Sequence, residues 1–217
     1  MKHYKLIAIV ILLIHLIPTT IKAQKIDKNT KYIKYKVLTS QVDGKQKNSH
    51  ELGLLVSSDS SKIYMFSIRP GYTRPDASLF GWNPYFHFEY SDSVSNTFRK
   101  VAKKFQEWRN IAKEHKSGKF EKKIDIQIPL KYVSQYMYGG PNFKYFEPDD
   151  NKFVFNYYNP DREPCLLLSN LLHINKYEVV YFSITMSVED LENWANILEY
   201  KAIQKGLREE SMDALFK

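Results

Sequence analysis

"FHFEYSDSVSNTFRKVAKKFQEWRNIAKEHK", residues Phe86 to Lys116, changes its period part-way, and the fold turns on that change. At the start apolar and polar residues alternate. Side chains two apart on a strand share a face, so Phe86, Phe88 and Tyr90 point one way and Tyr85, His87 and Glu89 the other. From Val94 the step lengthens. Val94, Phe98, Val101, Ala102, Phe105, Trp108, Ile111 and Ala112 recur at intervals of three and four, with Lys100, Lys103, Lys104, Glu107, Lys113 and Glu114 opposite. That pattern predicts an amphipathic helix with one buried stripe. Asp92 or Ser93 supplies its cap, and the helix is expected to end near Gly118.

Upstream the chain reads as a meander. Ile33, Tyr35 and Val37 alternate with lysines, Asp43-Gly44 signals a tight turn, Leu52, Leu54 and Val56 follow, and Ser58 to Ser60 turns the chain into Ile63 to Ile68. The loop from Ile68 to Pro84 carries three prolines, which cannot donate to a sheet ladder. Downstream the plan recurs. Strands are expected at Ile124 to Ile128, Tyr132 to Tyr138, Phe143 to Phe146, Phe153 to Tyr158, Cys165 to Leu168 and Tyr177 to Ile184. Ser187 then caps a second helix with Asp190 in capping-box position. Its stripe is Val188, Leu191, Ala195, Leu198 and Ala202, with Trp194 beside it and Gly206 as the expected end.

Phe86, Phe88 and Tyr90 fall on Val180, Phe182 and Ile184 at an offset of 94 residues, and Ser93-Val94 falls on Ser187-Val188. Strands, helix, strands, helix is the order of an α+β fold. The expectation is antiparallel sheet with two amphipathic helices on one face. It is either one sheet or two similar β-meander–helix units, 31–118 and 122–206, within a single domain 24–217.

The chain opens MKHYKLIAIVILLIHLIPTTIKAQ: Lys2 and Lys5, an apolar run from Leu6 to Ile17, a break at Pro18 and a small residue at Ala23. This is the order of a secretory signal peptide cut after Ala23, and the run is short for a spanning helix. Without residues 1–23 the chain has 194 residues and 29 basic against 24 acidic side chains, a net charge of +5 rather than +8. Lysine and glutamate are interspersed through most segments, which argues against a nucleic-acid binder. Lys31 to Lys36, KYIKYK, reads as a strand with lysines on its wet face. The single cysteine, Cys165, precedes three leucines and is expected to be a buried structural thiol.

The motifs GxSxG, HExxH, CxxC, GxxxxGK[ST] and GxGxxG are absent from the sequence. His87 and Glu89 share a strand face and are the candidate catalytic pair, but a metal site needs three or four ligands and no metal or other cofactor is expected. Acid pairs at Asp149-Asp150, Asp161 with Glu163, and Glu189-Asp190 could run glycoside hydrolysis only if carboxylates face each other across a cleft. Tyr72, Trp82 and Tyr138 stand on aromatic loops among glycines and prolines and are the candidate ligand contacts, since such side chains give large contact area at low entropy cost.

The lysine-led signal ending in Ala-Gln, the Lys/Asn/Ile/Tyr-rich body and the helix text KKFQEWRNIAKEHK resemble small uncharacterised exported proteins of Bacteroidetes-type bacteria. The resemblance covers the signal and one helix and carries no known active residues. It implies a Gram-negative envelope setting: periplasm, cell surface or secretion. The expectation is therefore an exported, non-catalytic binding module for a protein or glycan, with no stable membrane span once the signal is cut. An exported hydrolase using a carboxylate pair or His87 is one alternative. A subunit anchored by an uncleaved N-terminal segment is the other.

Overall fold

The computed structural model describes residues 29–42, 46–70, 83–115, 118–136, 143–146, 151–157, 163–175 and 178–215. It is an α+β protein with two antiparallel sheets. The first holds β1 (Thr30–Val42), β2 (Gln46–Ser57), β3 (Ile63–Pro70), β4 (Asn83–Glu89), β6 (Leu130–Tyr136) and β7 (Phe143–Phe146), in that order. The second runs β10 (Glu178–Met186), β9 (Cys165–Asn175), β8 (Val154–Tyr157) and β5 (Phe120–Lys123). Strands β6 and β7, from the second half of the chain, extend the first sheet through β4, so sheet membership crosses the division at residue 118.

The expected meander is present. β1 and β2 form a hairpin with Val42 opposite Gln46, and the Asp43-Gly44 turn lies outside the described residues. The strand alternation holds with one correction in β1. A register shift between Lys34 and Lys36 moves the pattern on by one, so Tyr35 is buried while Val37 is 55% exposed. An extra residue on one strand swaps the faces of everything beyond it. The alternation Ile124, Ile126, Ile128 is real but is not strand. Ile124 and Ile128 are buried, and their N–H groups donate to Phe153 O at 2.8 Å and Asn151 O at 2.9 Å in an irregular run after β5, where Ile126 N donates to Ile124 O at 2.7 Å.

Helix α1 (Val94–Glu114) follows β4 and lies between the sheets. Phe98 meets Phe66 and Phe88 of the first sheet at 6.2 Å each, and Phe105 meets Phe155 of the second at 5.1 Å. Each fully buried ring of this set contributes roughly 1.5–3 kcal/mol of burial. Ser93 stands at the cap position, but its side chain makes no capping bond, and the helix ends at Glu114 with His115 as C-cap, one turn short of Gly118. Ile111, placed in the stripe from sequence, is 46% exposed.

The C-terminal helix is two helices. α2 (Val188–Ile197) opens on a full capping box, with Asp190 N donating to Ser187 Oγ at 3.1 Å and Ser187 N donating to Asp190 Oδ2 at 2.9 Å. The chain breaks at Leu198, whose carbonyl accepts from Tyr90 Oη at 2.9 Å, and α3 (Tyr200–Leu215) starts afresh. Gly206 lies inside α3 rather than ending it. A Cβ there would stand 2.9 Å from Tyr35 Oη, so glycine lets α3 close on β1. Trp194 of α2 is fully buried, and its ring meets His50 of β2 edge-on at 5.7 Å. All three helices of the described residues therefore cover one face of the six-stranded sheet, the face of Leu52, Leu54, Phe66, Ile68, Phe86 and Phe88.

Candidate functional site

With the helices on one face, the other face of the six-stranded sheet is where β4 presents His87. Its row is fixed by register: Lys34, Gly53, Ser67, His87 and Tyr132 stand side by side from β1 to β6. The next row carries Glu51, Arg69, Tyr85 and Ser134. β3 stands between β2 and β4, and Ile68 pairs with Phe86, so the same register carried one residue on sets Arg69 opposite Tyr85.

Small residues form the floor of this face. Ser134 is fully buried and Ser67 nearly so. Gly53 leaves room for the Tyr32 ring to cross β2: a Cβ at Gly53 would lie 1.8 Å from Tyr32 Oη. The Tyr32 hydroxyl thereby reaches Ser67 Oγ at 3.5 Å, and burial is the main cause of its raised pKa. Rings line the rest. His87 stands 4.5 Å from the Tyr132 ring and 6.1 Å from that of Tyr85, and the Arg69 guanidinium lies 5.7 Å over Tyr85. Lys34 pairs with Glu51 at 2.8 Å at the edge.

His87 Nε2 contacts Ser134 Oγ at 2.6 Å. Burial pushes the His87 pKa down to about 4, so the ring is neutral at ordinary pH. Among the described residues the face is thus a patch of rings over buried hydroxyls with one guanidinium. Such a patch can bind through ring faces and hydrogen bonds, the pattern of sites that orient a ligand rather than charge it.

His87 and Glu89 share the outward alternation expected of them, but their partners differ. Glu89 is exposed and faces Lys131 at 3.6 Å. The carboxylates of the acid pairs are held elsewhere. Asp190 is buried in the capping box. Burial raises the Glu163 carboxyl, but hydrogen bonds from Lys113 and Arg109 outweigh it and the net shift is downward. Asp149, Asp150 and Asp161 lie outside the described residues, as do Tyr72, Trp82 and Tyr138. Among the described residues no group of three or more His, Cys, Asp and Glu side chains could hold a metal. Cys165 is half-buried rather than fully enclosed.

Sequence reasoning missed Tyr32, Ser67, Tyr132 and Ser134. Their signal is the polar phase of strands whose apolar phase was read correctly: Tyr132 and Ser134 flank buried Val133, and Ser67 lies between buried Phe66 and Ile68. A second concavity of about 630 Å3 lies between α1 and α2, lined by Arg99, Lys103, Gln106, Glu107, Glu192 and Asn196. Arg99 there donates to Ser95 Oγ at 2.7 Å, Asn196 Oδ1 at 3.1 Å and the Glu199 carboxylate, so its cation is engaged in joining the helices. No protein-family model, curated protein or solved structure matches the chain.

Proposed function

We propose that this chain is an exported, non-catalytic binding module of a Gram-negative envelope, and that the outer face of its six-stranded sheet takes the partner. The observation that carries the reading is the patch of Tyr32, Tyr85, His87, Tyr132 and Arg69 above the buried Ser67 and Ser134, on the face that none of the described helices covers. Half-buried tyrosine rings with Arg69 beside them suit a glycan, whose C–H faces stack on rings while its hydroxyls take hydrogen bonds from phenol and guanidinium groups. A protein surface is the alternative partner.

The test is a glycan array followed by titration calorimetry with the chain from Gln24, alongside Tyr85→Ala and Tyr132→Ala. Each variant is expected to weaken binding about tenfold while keeping the fold, the worth of one well-placed ring. A chain that takes no glycan and no envelope protein through this face refutes the reading. Mass spectrometry of the N-terminus tests export: a chain beginning at Gln24 supports it, and one beginning at Met1 favours the anchored subunit.

One observation favours a second reading, an exported hydrolase. His87 Nε2 lies within hydrogen-bond reach of Ser134 Oγ, the contact of a base with a nucleophile. The fully buried Ser134 hydroxyl and the lowered pKa of His87 weigh against it. Labelling by a fluorophosphonate that is lost in Ser134→Ala would establish it, and an unlabelled wild-type chain removes it.

A further inference from the structure

Charge is less evenly spread than the interspersed lysines and glutamates imply. Residues 99–123 hold ten basic and three acidic side chains, a net of +7. The rest of the chain after residue 23 holds nineteen basic and twenty-one acidic, a net of −2. The basic segment is α1 and β5, and folding brings the two together. Lys104, one turn before Trp108, lies 5.5 Å from its ring centroid, and Lys122 of β5 approaches the same ring to 4.8 Å. Trp108 itself is half-buried, its edge against Phe155 at 5.8 Å. Lys100, Lys104 and Ile111 follow at helical spacing along the same flank, and Ile111 is 46% exposed.

We propose that this flank of α1 and β5, with Lys100, Lys104, Trp108, Ile111 and Lys122, docks the protein on an anionic lipid surface. Charge complementarity sets the sign of the partner. The exposed apolar side chain sets its kind. A soluble anion gives Ile111 nothing, whereas at a lipid interface an apolar side chain sinks below the headgroups and lysines snorkel to the phosphates around it. Glu107, paired with Lys104 at 3.0 Å, and Glu114, one turn beyond Ile111, are acids on α1 that oppose the contact. Docking here is peripheral: no described helix is long and apolar enough to cross a membrane. The surface is separate from the ring-lined sheet face, so the two readings stand or fall independently.

The test is flotation of the chain from Gln24, which carries every described element, with vesicles of phosphatidylcholine alone or mixed with phosphatidylglycerol. Wild type is expected to bind the mixed vesicles, to release at high salt, and to ignore the neutral ones. Each lysine near an anionic surface is worth about fivefold in affinity, so K100E/K104E/K122E is expected to lose on the order of a hundredfold. Ile111→Glu, at an exposed site, is expected to weaken binding with the fold intact. K201E/K205E on α3 changes the net charge by −4, against −6 for the triple variant, and is expected to bind nearly as wild type. The proposal is overturned by absence of binding to the mixed vesicles, or by equal losses in K201E/K205E and the α1–β5 variant. Full binding by Ile111→Glu together with equal affinity for soluble heparin also overturns it and names a soluble polyanion instead.

Discussion

The two faces of the six-stranded sheet are built from the same strands and differ in what covers and fills them. The inner face is closed: Phe66 and Phe88 stack at 4.7 Å, Phe98 stands edge-on to both, and three helices cover them. The outer face alternates with it residue by residue and carries rings tied by hydroxyls rather than by packing. Each face holds a histidine whose pKa burial lowers, His50 inside against Trp194 and His87 outside against Ser134. A strand's alternation thus divides labour: one phase makes the fold, and the other is the one we propose for recognition.

The largest expected effect would test that division directly. Phe88→Ala should cost about 3–5 kcal/mol, because it removes a fully buried ring and leaves a cavity. Tyr85→Ala, one face over, should cost about 1 kcal/mol and act on binding instead. Equal losses in urea denaturation would erase the distinction. A smaller effect concerns pH. The folded His87 titrates at about 4 against an ordinary value of 6.5, so its contribution is complete above pH 6.5 and is lost as pH falls through 4. The full loss is about 2–3 kcal/mol, allowing for partial exposure. His87→Gln should therefore flatten the fall in urea midpoint between pH 7 and pH 4, and an unchanged slope would place the acid sensitivity on the inner face, at His50.

The smallest effect contrasts two glycines. Gly206→Ala must push the buried Tyr35 ring, which also donates to Ala202 O at 3.3 Å, and should cost about 1 kcal/mol after the gain in helix propensity. Gly53→Ala meets the far end of Tyr32, which is 51% exposed and can swing out, so stability should change by less than about 0.5 kcal/mol. The Tyr32–Ser67 contact would be lost, and a crystal structure of the variant would show it.

Much of the inner face was legible because burial and period are local signals. Phe86, Phe88 and the α1 stripe follow from spacing alone. The two strand-to-helix junctions, 94 residues apart, show where local signals stop. Both read as Ser-Val helix starts, yet Ser187 makes a full capping box and Ser93 makes no side-chain cap. The difference lies three residues on: Asp190 can return a bond to the Ser187 N–H, and Asn96 stands in the matching place of α1. The break at Leu198 had no local signal, since it coincides with the hydrogen bond from Tyr90, 108 positions away.

The sequence by itself determined the fold class, the buried phase of β2 and β4 and most of the α1 stripe, because each depends on spacing within one element. Tertiary structure decided which polar residues meet. Tyr132 and Ser134 reach His87 because β6 pairs with β4 across α1 and β5, and Lys122 reaches Trp108 because β5 returns beside the helix that precedes it. Pairing partners are set by the lowest free energy of the whole core, which no window of neighbouring residues contains.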